Sequence, residues 1–354
     1  MKKIVISTLI GSALCLSLLS GYAQNTSTNE TWVTPPGQEQ SPLADPETYL
    51  QGTFIEVGVA QSGSCGTFGP TPAGYHPYYS GLGFVADYGE DGFGVGTPPY
   101  SGDYFVPGTP EERWVLEWTA GGFERNFNNA SLMGDNDVPQ ASLTNTSSGT
   151  TNSCVWTGTA TFGAESVLVR QEVIFDDADL FFIFRMTLTN TGTVPLTSVE
   201  YMRNVDPDQG LDIGCGFPTF NYVKHQPGWP GSGDTALVIA YTNGCNSIPL
   251  GLYTIHPNAV VSTEGFTNTD PDWILDSPVT YPEGTPNFAD EAIALAFRFD
   301  ALNPGQSINF QYVYLLNDAA LIDPPPLEEV PISNWAIIIG IMLILGAAII
   351  RFRR

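Results

Sequence analysis

Basic side chains are the scarcest chemistry in this 354-residue chain: 12 Lys and Arg stand against 37 Asp and Glu, a net charge of −25. Five of the twelve sit at the two ends, as Lys2, Lys3, Arg351, Arg353 and Arg354, and every acidic residue lies between them. A field of that sign repels phosphate backbones and excludes nucleic acid as a partner, while it favours solubility and cation binding. Histidine occurs only three times and cysteine five times. With no Cys-x-x-Cys and no His-x-x-His, nothing has the spacing of a zinc site. Gly-x-Ser-x-Gly, His-Glu-x-x-His and a phosphate loop are also missing, so no enzyme class announces itself by motif.

What the chain has in quantity is turn formers and rings. There are 37 Gly and 28 Pro, and aromatic residues make up 12%, too many for a disordered acidic chain. That mixture describes short strands joined by tight turns, with enough length to bury a substantial core. Strand signals run over 53–59, 166–175, 180–190, 235–241, 292–299 and 307–316, with no convincing helix among them. In the third of these Phe182, Phe184, Met186 and Leu188 fall on one face. The expected fold is all-β: a large antiparallel β-sandwich ectodomain with long loops over 47–322, plus a single C-terminal transmembrane helix.

The ends carry addresses. Lys2 and Lys3 precede an apolar run over 4–19, and small residues follow at Ser20 to Ala23. This is the layout of an export signal cleaved after Ala23, which removes Cys15. Residues 24–46 form a flexible leader, and Asp323-Pro324-Pro325-Pro326 opens a stiff acidic spacer over 323–330. The last segment, 331–354, combines Val330-Pro331-Ile332-Ser333-Asn334-Trp335, an apolar run from Ala336 to Ile350, and Arg351-Phe352-Arg353-Arg354. An uncharged run of this kind belongs in lipid, with Trp335 at the interface and the arginines on the cytoplasmic side. Through Pro331, Trp335, Arg351, Arg353 and Arg354 this end resembles the PEP-CTERM and IPTL-CTERM sorting signals of Gram-negative bacteria. The resemblance implies an envelope sorting or processing enzyme as partner, contact with the membrane, and display at the cell surface.

A second resemblance lies in Arg185-Met186-Thr187-Leu188-Thr189-Asn190-Thr191-Gly192, continuing to Val199. A strand ends in turn residues and resumes as another strand. This hairpin is similar to those of conserved-repeat sandwich domains in bacterial surface proteins, and of supersandwich domains in carbohydrate-active proteins. It implies a sandwich and leaves the choice between those families open.

The exported chain keeps Cys65, Cys154, Cys215 and Cys245. Three pairings are possible. The matching surroundings Gly214-Cys215-Gly216 and Gly244-Cys245-Asn246 favour Cys215 with Cys245, which leaves Cys65 with Cys154. Oxygen ligands concentrate in two loops, Asp87, Glu90 and Asp91 in one and Asp206, Asp208 and Asp212 in the other. Either makes a turn on its own, and calcium wants six to eight oxygens from such loops. Asp135-Asn136-Asp137 is a further cluster. Tyr75, His76, Tyr78 and Tyr79 crowd one loop and Trp229 another, a pattern suited to stacking on sugar rings. Glu111, Glu112, Asp206 and Asp208 are candidate acids, and His76, His225 and His256 are candidate bases in proline- or glycine-flanked loops. The function expected is a surface-displayed adhesion, matrix or glycan-binding module, with a carbohydrate-active enzyme such as a sugar epimerase or glycosidase as the alternative.

Overall fold

The structure, a computed structural model, describes residues 47–77, 80–87, 89–90, 92–93, 102–105, 111–131, 135–244 and 247–319. The export signal, leader, spacer and sorting tail therefore lie outside the described residues. Among those described, no helix is long and apolar enough to cross a membrane.

The strands are β1 (Thr48–Gln51), β2 (Ile55–Val59), β3 (Phe84–Ala86), β4 (Glu112–Ala120), β5 (Phe123–Ala130) and β6 (Gln140–Asn145). Then come β7 (Thr151–Phe162), β8 (Glu165–Asp176), β9 (Phe181–Asn190), β10 (Leu196–Val205), β11 (Thr219–His225) and β12 (Thr235–Thr242). The last are β13 (Pro249–Ile255), β14 (Ala259–Glu264), β15 (Asn287–Ala289), β16 (Ala292–Leu302) and β17 (Ser307–Leu315). One short helix, α1 (Pro271–Asp276), starts at Asp270, whose side chain accepts a hydrogen bond from the Asp272 N–H. The sequence reading missed it because a single capped turn carries no helical period.

These strands form a nine-stranded sheet, β15-β11-β12-β13-β17-β9-β8-β7-β6, and a five-stranded sheet, β14-β16-β10-β4-β5. A smaller sheet, β1-β2-β3, accompanies them, and every pairing between these strands is antiparallel. Among the described residues, no sheet closes on itself. β8 and β9 alternate between buried and half-buried positions, and Phe182, Phe184, Met186 and Leu188 do point into the core. β4 is different, buried along nearly its whole length on both faces. That double burial hides the alternation a sequence reading depends on.

The main core lies between the two large sheets. Phe182 stacks on Tyr314 at 4.7 Å and Phe184 on Tyr312 at 5.1 Å, while Trp114 reaches across to Trp156 at 5.5 Å. Into this apolar interior the five-stranded sheet inserts Glu112 and Arg203, both fully buried and ion-paired with each other. The surrounding groups satisfy them. Glu112 accepts from the Tyr314 hydroxyl (2.6 Å) and from the Cys65 backbone N–H (2.6 Å). Arg203 donates to Gln171 (3.2 Å) and to the Tyr314 hydroxyl (3.2 Å), and lies 4.2 Å over the Phe184 ring. Burial pushes the Glu112 carboxyl up, opposed first by the Arg203 guanidinium.

Cys65 and Cys154 are buried free thiols, which corrects the expected bridge between them. The Cys65 sulfur is engaged instead by Arg203 Nη2 at 4.0 Å. Burial pushes the Cys65 thiol up, and that of Cys154 up to about 12. Cys215 is disulfide-bonded; its expected partner Cys245 lies outside the described residues.

Removing one member of a buried ion pair strands the other, at a cost of about 3–5 kcal/mol. Arg203→Met is therefore expected to lower stability by about that amount in chemical denaturation. Glu172→Gln, at the 3.4 Å pair with half-exposed Arg170, should change it by less than about 1 kcal/mol. Equal effects would show that burial is not what makes the core pair matter. The two free thiols should react with a thiol reagent only at the rate of unfolding; immediate reaction in the native protein would place them at the surface.

Candidate functional site

The second face of the five-stranded sheet is set by a bulge. In β10, Leu196 and Val199 both point into the main core although they are three positions apart, a step that puts side chains on opposite faces of a regular strand. The register against β4 slips between Thr197 and Glu200, with Ser198 in the left-handed region at φ 43°. One extra residue reverses the phase, so Tyr201 and Arg203 face the core while Glu200, Met202 and Asn204 face away. On that outer face Met202 packs with Val115, Ala294, Ala296 and Ile274 of α1.

Carboxylates ring this small apolar floor. Glu200 lies opposite Glu117 of β4 on one side and Arg298 of β16 on the other. Arg298 donates to Glu200 Oε1 (2.6 Å) and Asp276 (2.7 Å), and pairs with Asp272. Oxygens of Glu117, Glu200 and Asp272 lie within 4.8 Å of one another. At the other end Glu264 accepts from Asn204 (2.9 Å) and Asn268 (2.6 Å), and Glu111 accepts from Arg113 Nε (2.7 Å). Burial pushes Glu111, Glu117, Glu200 and Glu264 each up to about 7, against an ordinary value of 4.5.

The proposed metal loops fare differently. Asp206 and Asp208 are buried just past β10, and their oxygens come within 4.8 Å of Asp290, a residue the sequence reading did not single out. Asp212 belongs to a single 3-10 turn (Leu211–Ile213), its side chain outside the described residues. Asp87 is buried, and its carboxylate caps its own loop by accepting from the Gly92 N–H (2.6 Å). Glu90 closes the same turn at φ 54°, and Asp91 lies outside the described residues. Asp135 and Asp137 bind Arg113 and Asn128.

The aromatic loop is more ordered in its chemistry than its composition suggests. Glu56, buried in β2, accepts from His76 Nδ1 (2.8 Å), from the His76 backbone N–H (2.7 Å) and from Gln51 (2.8 Å). The imidazole stacks flat on Phe93, 4.3 Å away at an interplanar angle of 9°. Tyr75 meets Tyr49 edge-on at 5.9 Å. Both Tyr75 and His76 are half-buried, and Tyr78 and Tyr79 lie outside the described residues. Trp229 is not part of this patch: it sits in the β11–β12 connection and packs against the main core. Among the other histidines, His225 and His256 are lowered by burial, and neither has a carboxylate hydrogen-bond partner among the described contacts. Glu112 is spent on the core pair. Sequence reasoning missed Glu56, Glu117, Glu200 and Arg298, since an isolated charge in a strand announces itself only through the phase of its neighbours.

No family model and no curated protein matches the chain. Solved structures with a similar course include a galactose mutarotase related enzyme from Lactobacillus acidophilus, with 8% identity and a TM-score of 0.37 over 76% of this chain and 97% of that one. A putative aldose 1-epimerase from Escherichia coli K12 gives 12% identity and 0.31, over 76% and 98%. A GH36 alpha-galactosidase from Geobacillus stearothermophilus gives 7% and 0.31, over 76% and 40%. Likeness this distant says nothing of this chain's substrate or activity.

Raised carboxyl groups predict a pH response of definite sign. The folded protein holds protons on its buried glutamates that the unfolded chain gives up near 4.5, so stability is highest below that value. It is lost as pH rises through about 7. Glu264→Gln should flatten this dependence by up to about 3 kcal/mol, seen as a smaller difference between melts at low and neutral pH. A wild-type protein that becomes more stable between those limits would contradict the assignment.

Proposed function

We propose that the chain is an exported, surface-displayed β-sandwich that binds glycan through the Tyr49, Tyr75, His76 and Phe93 patch. The carrying observation is the His76 imidazole, fixed at one nitrogen by buried Glu56 and laid flat on Phe93. A ring held this way has already lost the freedom that binding would otherwise cost. Tyr75 beside it adds a second half-buried ring, and Gln51 and the Gly74 carbonyl lie in hydrogen-bond contact at the edge. Ring faces bind the C–H faces of a pyranose while amides and carbonyls take its hydroxyls. Export and display rest on the two termini: the basic apolar start, and the Pro331 to Arg354 sorting tail.

A carbohydrate-active enzyme is the second reading, and the same pair favours it. A histidine oriented by a buried carboxylate is the arrangement general acid–base catalysis uses. The two readings separate on variants. For a binder, Tyr75→Ala and His76→Ala should each weaken capture of the full chain on a glycan array by roughly tenfold or more, about 1.4 kcal/mol, with no sugar consumed or epimerised. An enzyme would show turnover that His76→Ala abolishes. Unchanged binding in both variants removes the patch from the function.

A further inference from the structure

We propose that Glu117, Glu200 and Asp272 hold a hard divalent cation of the calcium type, which ties α1 to the outer face of the five-stranded sheet. The site is independent of the glycan patch. Across β16, β10 and β4 the register sets Arg298, Glu200 and Glu117 in one row. Two like charges directly opposite on neighbouring strands repel, and here both are almost wholly removed from water. Arg298 does not resolve the conflict. It lies on the far side of Glu200, engaging Oε1, and is shared with Asp272 and Asp276 from α1. Three carboxylates thus share one guanidinium, and Glu117 is left outside that pairing.

A second observation is independent of the clustering. The Glu200 side chain is 2% exposed, and its other oxygen, Oε2, is sealed from solvent without a hydrogen-bond partner. Arg298 engages Oε1, so the carboxylate that lies opposite Glu117 across the strand pair keeps its second oxygen unmet. Leaving a charged oxygen buried and unpaired is costly unless something else meets it. The three oxygens within 4.8 Å of one another are close enough to share one ion. Nearby donors are also oxygen. Asn126 donates both to Glu117 Oε2 (2.8 Å) and to the Thr269 carbonyl (2.8 Å), which brings that carbonyl beside the cluster. An all-oxygen set with excess negative charge selects calcium, magnesium or manganese over soft metals. The Asp272 side chain is 42% exposed and leaves an approach for the ion and its remaining waters.

The test compares melting of the purified full chain in chelator and in ~1 mM calcium chloride at about pH 8, where the glutamates are ionised. Calcium should raise the melting temperature by a few degrees. Glu200→Gln and Glu117→Gln should each abolish that rise and melt in chelator at or above the wild type, because the repulsion is gone. Asp206→Asn, in the separate Asp206, Asp208 and Asp290 cluster, should keep it. Terbium offers a second readout that needs no melt: Trp273 adjoins Asp272, so excitation of tryptophan should give terbium emission that Glu117→Gln removes and Asp206→Asn preserves. The proposal is overturned if calcium leaves the wild type unmoved. It is equally overturned if both glutamine variants keep the rise, or if Asp206→Asn alone loses it. Should Glu200→Gln fail to fold, Glu117→Gln and the terbium signal decide.

Discussion

The contact between Arg203 and Glu112 constrains everything around it. Both side chains come from neighbouring strands of the five-stranded sheet and enter an interior otherwise built of tryptophan, tyrosine and phenylalanine. Two charges taken that far from water are tolerable only if each is met on every side. The nine-stranded sheet supplies the partners, with Gln171 from β8, Phe184 from β9 and Tyr314 from β17. The loop after β2 supplies the Cys65 N–H. The pair thereby joins the two large sheets and the small one at a single point, and it fixes their register more tightly than apolar contact alone, which has little directionality.

The same strand that delivers Arg203 inward delivers Glu200 outward, and the bulge at Ser198 makes that division. With one residue fewer, Glu200 would point into the aromatic core and Arg203 toward α1. The excess acid of the composition is thus not all spread over the surface. Some of it, in Glu111, Glu117, Glu200 and Glu264, is packed on the outer face of one sheet. Amides and two arginines offset most of it. The aromatic patch around His76 is built on a different element, β2, and by a different principle: one buried carboxylate orients a ring that remains half-exposed.

Much of the fold was legible because long hairpins obey period two. The segments 166–175 and 180–190 correspond to β8 and β9 to within a residue, and the ring face of β9 lies in the core as its alternation requires. β4 was not legible, since Glu-Arg-Trp-Val-Leu-Glu-Trp is buried on both faces and its Glu112 is met by Arg203 and Tyr314, far along the chain. Polar β5 and the long β7, with its Gly and Thr, lacked the apolar signal. Site legibility split along the same line. Tyr75 and His76 advertise themselves by crowding in one loop. Glu56 and Glu200 do not, because a single carboxylate in a strand means nothing until its phase and its cross-strand neighbours are known. The pairing of Cys65 with Cys154 was inferred by elimination, and elimination cannot sense that Arg203 occupies one of the sulfurs.

The core pair acts as one unit that ties the sheets together, and a double-mutant cycle measures that directly. Arg203→Met, Glu112→Leu and the double variant should be compared with the wild type by denaturant unfolding. The double variant is predicted to be more stable than the sum of the two single losses implies, by about 2 kcal/mol or more, because neither charge is left stranded. Losses that simply add would show the two residues acting separately, and would contradict the claim that their contact holds the sandwich in register.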